Sequence, residues 1–174
     1  MARRFKVIRT PLLGPGKHVM TLHDVKALTV DRFQGNLGRR NLFYKLEELV
    51  QQFLVQRIPA EFWIDGSFLT EETDPADVDV AIKVMDDVMQ ELSPEQEGFL
   101  SRVAAHDPYI DGLDTFVFAG YWVGHERYGT DLDDGHSRCV PTYGTLYGKG
   151  EDDWLKGIAV LLLWETEFGF RFRA

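Results

Sequence analysis

The chain has 174 residues, enough for one domain with a real hydrophobic core and short for two. Hydrophobic residues at 44% and aromatics at 13% exclude disorder or low complexity over most of the length. A formal net charge of −9 excludes nucleic-acid backbone binding by the surface as a whole, because the long-range force has the wrong sign.

Local basic patches survive that exclusion. Arg3, Arg4, Lys6, Arg9 and Lys17 all precede the first acid, Asp24, and Arg39, Arg40 and Lys45 cluster later. Such runs read first as a solvated face. Cys139 is the single cysteine, so no intrachain disulfide forms and a reducing compartment, the cytoplasm, is expected. Thr10, Pro11, Gly14, Pro15 and Gly16 interrupt any apolar stretch after the N-terminal charges. No apolar run reaches the ~18 residues of a membrane span, so neither export nor a membrane partner is expected.

In chain order, Phe5 to Ile8 form a short apolar piece before the Pro/Gly-rich turn "TPLLGPGKH". "GPGKH" invites a phosphate-loop reading, but that loop needs a glycine where Pro11 stands and a hydroxyl residue where His18 stands. "TLHDV" reads as a helix start, with Thr21 as cap and Asp24 three residues on, and a helix running to about residue 30. Leu42, Leu46, Leu49, Val50 and Phe53 then recur at helical spacing, predicting a helix over 41–56 with Asn41 as N-cap and Pro59 closing it.

"EFWID" reads as a strand ending at Gly66. From Asp77 the period becomes two: Val78, Val80, Ile82 and Val84 face one way, and Asp77, Asp79, Ala81 and Lys83 the other. "SPEQEGFLSRVAAH" predicts a helix with Ser93 as N-cap, Pro94 at the first helical position and Gln96 completing a capping box. "LDTFVFAGYWV", from Leu113, reads as a strand. Residues 124–153 are polar and Gly-rich, predicting a long loop or irregular hairpin, and "LKGIAVLLLW" reads as a final strand. The expected architecture is one α+β or α/β domain with a mixed central sheet flanked by helices. Residues 1–40 would be an N-terminal extension, 41–120 the motif-bearing core, and 121–174 a long loop with a C-terminal strand.

Asp77 and Asp79 on one strand face lie about 7 Å apart, a spacing that suits two carboxylates gripping shared cations. Without a cation their repulsion is costly unless that face meets solvent. Gly66 and Ser67, at the end of the preceding strand, supply what a phosphate needs: close backbone approach, an amide and a hydroxyl donor.

These residues, "WIDGS" and then "DVDV", resemble the signature of the polymerase-β-type nucleotidyltransferase superfamily: Gly-[Gly/Ser], a spacer, Asp-h-Asp, and a third acid on a neighbouring strand. Asp114 in "GLDTFVF" matches the third acid best, ahead of Asp111, which precedes the glycine turn. "LGPGKHVMTLHDV" and "GKGEDDWLKGIAVLLL" extend the likeness, loosely, to small uncharacterised bacterial proteins with a minimal nucleotidyltransferase domain. The resemblance implies that Asp77, Asp79 and Asp114 hold two Mg²⁺ (or Mn²⁺) ions about 4 Å apart. An NTP would be the substrate, and an unidentified protein, RNA or small-molecule hydroxyl the acceptor of its NMP. Gly66 and Ser67 would hold the β and γ phosphates, with Lys83 or Arg39 neutralising further charge. Small bacterial toxin–antitoxin or phage-defence enzymes offer the nearest biological setting, with a cognate protein partner. The alternatives are a catalytically silent nucleotide- or partner-binding module on the same fold, and a purely partner-binding protein with a surface acidic strand.

Other features are weaker. His125, His136 and Cys139 supply only three zinc-type ligands at irregular spacing. Tyr121, Trp122, Tyr128, Tyr143 and Tyr147 offer rings for a base, though packing is the commoner use of such residues. No hydrolase elbow or His-Glu-x-x-His pair is present.

Overall fold

The computed structural model describes residues 9–105, 111–128, 157–166 and 169–172. The chain runs β1 (Gly16–Val19), α1 (Leu22–Thr29), α2 (Leu37–Gln56), β2 (Ala60–Asp65), β3 (Val78–Met85), α3 (Asp86–Gln90), α4 (Pro94–Ala104), β4 (Leu113–Gly120), β5 (Gly157–Thr166) and β6 (Gly169–Phe172). It is an α+β fold around one mixed sheet of order β1-β5-β2-β3-β4. Strand β2 is antiparallel to both β5 and β3, whereas β3–β4 and β1–β5 are parallel. Because β1 pairs with the first half of β5 and β6 with the second, both lie along the same edge of that strand.

Local chemistry sets the helix starts. In α1, Thr21 Oγ1 accepts from the Asp24 amide at 3.1 Å while Asp24 Oδ2 accepts from the Thr21 amide at 2.9 Å, the reciprocal cap that the spacing predicts. Ser93 and Gln96 do the same for α4, with Pro94 in its first turn. Helix α2 begins one turn before the expected Asn41: Asn36 is the cap, its Oδ1 accepting from the Arg39 amide at 2.8 Å. Strand β4 stops at Gly120 rather than reaching Val123, since tight turns follow, with His125 N–H donating to Trp122 and Tyr128 N–H to His125. Strands β1 and β6 and the short α3 were not expected, and the 129–153 part of the expected loop lies outside the described residues.

The two faces of the sheet differ in what they carry. Phe62, Ile64, Val78, Val80, Ile82, Val84, Ala159, Leu161 and Leu163 pack with Val25, Leu46, Phe53, Phe99 and Val103 of the helices into the main core. The expected alternation holds from Val78 onward, with Asp77 just before the strand: the valine–isoleucine face of β3 meets the helices. The opposite face carries a smaller cluster of strand residues, Trp63, Ala81, Phe118, Ile158 and Val160, to which no described helix contributes. The acidic residues share this second face.

Arg39 ties the segment after β2 to the helices. Its side chain is fully buried, and each of its five N–H groups meets a backbone carbonyl. Nη1 donates to Thr29 at 3.1 Å and Phe68 at 2.8 Å, Nη2 to Thr70 at 2.7 Å and also to Glu72, and Nε to Glu72 at 3.1 Å. The guanidinium stacks 3.8 Å from the Phe33 ring centroid. Burial lowers its pKa to about 10 against the opposing pull of Glu72, which leaves it charged at neutral pH. Replacing it by an apolar isostere strands the carbonyls of Thr29, Phe68, Thr70 and Glu72. Arg39→Met is expected to cost at least about 3 kcal/mol in chemical denaturation, whereas Arg40→Met, at an exposed site, stays within about 0.5 kcal/mol of the parent.

Candidate functional site: an acidic row beside a glycine turn

Strand pairing decides which acids meet. In the β2–β3 ladder Asp65 is opposite Asp79, and in the β3–β4 ladder Asp79 is opposite Asp114. Partners in register point to the same side of a sheet, about 4.8 Å apart between strands, so Asp65, Asp79 and Asp114 form one row across three strands. Asp77 immediately precedes β3, outside the ladders that align the other three. Burial falls off along the row: Asp65 is 4% exposed, Asp79 intermediate and Asp114 exposed. The half-buried Asp77 carboxylate makes no hydrogen bond or ion pair among the described residues.

Gly66 is the hinge of the site. Its φ of +82° is a backbone state that side-chain-bearing residues rarely adopt. A Cβ on it would also overlap the Asp79 carboxylate, whose Cγ would lie only 2.7 Å away. The glycine thus turns the chain out of β2 and gives Asp79 room to lie flat on the backbone. The next residues form a single 3₁₀ turn, Ser67–Leu69, in which the Ser67 carbonyl accepts from the Thr70 amide at 3.1 Å and the Thr70 hydroxyl at 2.8 Å. The Ser67 hydroxyl itself is engaged by no hydrogen bond among the described residues.

The expected basic residues are placed differently. Arg39 has spent every donor on backbone carbonyls, so nothing of its guanidinium remains for a phosphate. Lys83 shares the open face but lies four residues beyond Asp79, about 13 Å along the strand. Its Nζ is 3.5 Å from Glu61 Oε1, and its stem fills the space where a Cβ on Gly120 would be. Asp111, 91% exposed, sits in the turn before Gly112 and pairs with Lys45 at 3.5 Å, away from the row. His125 stacks on Tyr121, while His136 and Cys139 lie outside the described residues.

Asp65 was not among the expected site residues. Period two in "EFWID" places it on the face of Trp63, but only the ladder to β3 reveals that it joins Asp79.

The donor set is all carboxylate oxygen, the chemistry that hard divalent cations such as Mg²⁺ or Mn²⁺ require. In this arrangement no three His, Cys, Asp or Glu side chains among the described residues are grouped so as to hold a metal ion. The donor types suit such an ion, but the carboxylates as placed do not converge on one point.

Residues 6–132 match the model of a family of unknown function, DUF6932. The chain belongs to that family. No curated protein and no solved structure matches it. The DUF6932 match runs from before β1 to beyond β4, so it takes in the glycine turn and all four aspartates. No described helix is long and apolar enough to cross a membrane.

Two clashes act at Gly66, and they can be separated. Gly66→Ala is expected to destabilise the fold by about 2–4 kcal/mol, from backbone strain plus overlap with Asp79. In an Asp79→Ala background the same change should cost about 1 kcal/mol less, because the overlapping carboxylate is gone. Equilibrium denaturation of the four-member cycle measures this.

Proposed function

We propose that this DUF6932 protein is a divalent-metal-dependent nucleotidyltransferase that moves an NMP from an NTP to a hydroxyl of a protein, RNA or small molecule. The observation that carries the reading is the contact of the Asp79 carboxylate with Gly66 Cα, in a row that continues to Asp114. It joins the two halves of the Gly-Ser and Asp-x-Asp motif in space, with a third acid on the neighbouring strand.

In this reading the acceptor hydroxyl loses its proton to solvent water, its oxygen forms a bond to the α-phosphorus, the bond from that phosphorus to the β-bridging oxygen breaks, and pyrophosphate leaves. Gly66 and Ser67 bind the leaving phosphates: the glycine permits close approach and the serine offers its hydroxyl. Asp77, Asp79 and Asp114 would hold the divalent ions, which supply charge neutralisation and a more acidic acceptor hydroxyl. Asp114, at the solvent-facing end of the row, orients that hydroxyl toward the phosphorus. Arg39 supports the site from behind by anchoring the carbonyls of Phe68, Thr70 and Glu72.

A second reading, a silent nucleotide- or partner-binding module on the same fold, draws on the lack of a pre-gathered three-carboxylate group. Toxin–antitoxin or phage-defence biology, with a cognate protein partner and a cytoplasmic location, is the setting that the resemblance suggests.

The first test is thermal: Mg²⁺ or Mn²⁺ with one of the four NTPs should raise Tm by several degrees, and Asp77→Ala or Asp79→Ala should each abolish the shift. Incubation with α-labelled NTPs and cell lysate separates the readings. Label transferred to protein, RNA or a small molecule supports the enzyme, a shift without transfer supports a silent nucleotide-binding module, and no shift with any NTP overturns both nucleotide readings in favour of a partner-binding protein.

A further inference from the structure

Lys17 belongs to "GPGKH", which fails as a phosphate loop in sequence, yet the sheet carries it to the acidic row. Lys17 is opposite Ile158 in the β1–β5 ladder. In the β2–β5 ladder Ile64 is opposite Ala159, so one step further along, Ile158 stands beside Asp65. Lys17, Ile158, Asp65, Asp79 and Asp114 therefore share one row and one face, with the Gly66–Ser67 turn between the lysine and the outer aspartates.

The lysine is held in place. Gly16, at φ +118°, turns the chain into β1, and Gly157 N–H donates to the Leu13 carbonyl at 3.2 Å. His18 Nε2, as an N–H donor, closes on the Gly14 carbonyl at 2.8 Å, and Met20 N–H bonds Val160 at 2.9 Å. A Cβ on Gly157 would overlap the Gly14 carbonyl, so the turn sits tight against β5.

Among the described residues no carboxylate forms an ion pair with Lys17. Lys17 Nζ lies 3.4 Å from the Trp63 ring centroid, a cation–π contact that orients the ammonium without neutralising it. The nearby carboxylate, Glu61, is taken by Lys83 at 3.5 Å and by Trp63 Nε1–H at 3.0 Å. Partial burial lowers the pKa of Lys17, Glu61 opposes that shift and Lys83 adds to it, while the residue as a whole stays exposed to solvent.

We infer that Lys17 is the cation that receives the distal phosphates of a nucleotide whose α-phosphate lies at the aspartates, an inference that rests on the nucleotidyltransferase reading above. Three strand spacings put Lys17 Cα about 14 Å from Asp79 Cα, a separation that an extended triphosphate and a lysine arm cover together. The polyphosphate runs across the strand ends, from Asp114 and Asp79, over Gly66 and Ser67, to Lys17. Lys17 thus fills the role for which the sequence offers Lys83 or Arg39.

Calorimetric titration of the full chain with each NTP and with inorganic tripolyphosphate, both in Mg²⁺, tests this. Lys17→Gln, whose unliganded Tm should match the parent, is expected to weaken both probes about tenfold or more, and Lys17→Arg to retain most of the affinity. If Lys17→Gln binds NTP and tripolyphosphate as the parent does, the role of Lys17 is wrong while the nucleotide reading stands. If the parent binds neither, both fall.

Discussion

The acidic end of the sheet depends on one close approach, the Asp79 carboxylate lying on the Cα of Gly66. It requires a glycine in a left-handed conformation at the end of β2 and a register that brings Asp65 opposite Asp79. Like charges in adjacent strands repel by about 1 kcal/mol per pair when well solvated and about 4 kcal/mol near a protein surface. The other face supplies the opposing force. Phe62, Ile64, Val80 and Ile82 are all 0% exposed, and burial of such side chains is worth about 1.5–3 kcal/mol each. Hydrophobic burial on the helix side thus outweighs the repulsion and holds the carboxylates in register.

The two cations of greatest interest divide inside from outside. Arg39, a planar fork with five donors, suits convergent carbonyls, and it uses four of them on the segment after β2 and one on Thr29 at the end of α1. Lys17, a point charge on a flexible stem, rests with its ammonium over the Trp63 indole. A lysine could not satisfy the carbonyls around position 39. An arginine at position 17 would keep the charge and change chiefly its shape.

Local signals made most of the elements legible. The alternation from Asp77 to Val84 identifies β3 and its two faces, and the Thr21/Asp24 and Ser93/Gln96 boxes mark two helix starts. The start of α2 is displaced because apolar spacing begins at Leu42, while the capping side chain, Asn36, precedes a Leu-Gly-Arg-Arg turn with no apolar periodicity. Strand β1 is four residues with a glycine, paired along one edge only, so nothing in its composition announces it. Position 39 reads as surface because arginine is usually exposed, and its burial is settled by carbonyls that come from residues 29 to 72. Asp65 and Lys17 follow the same logic: each is ordinary in sequence, and the sheet order gives it meaning.

The central claim is that carboxylates on this face take up a divalent ion together with a nucleotide. Electron paramagnetic resonance of Mn²⁺ reads it most directly, since the six-line signal of the free ion falls on binding. Adding the protein to Mn²⁺ and a non-hydrolysable NTP analogue is expected to lower the signal below that of the same mixture without protein, and Asp79→Asn to abolish that extra loss. An Mn²⁺ signal unchanged by the protein with any of the four NTP analogues would contradict the account.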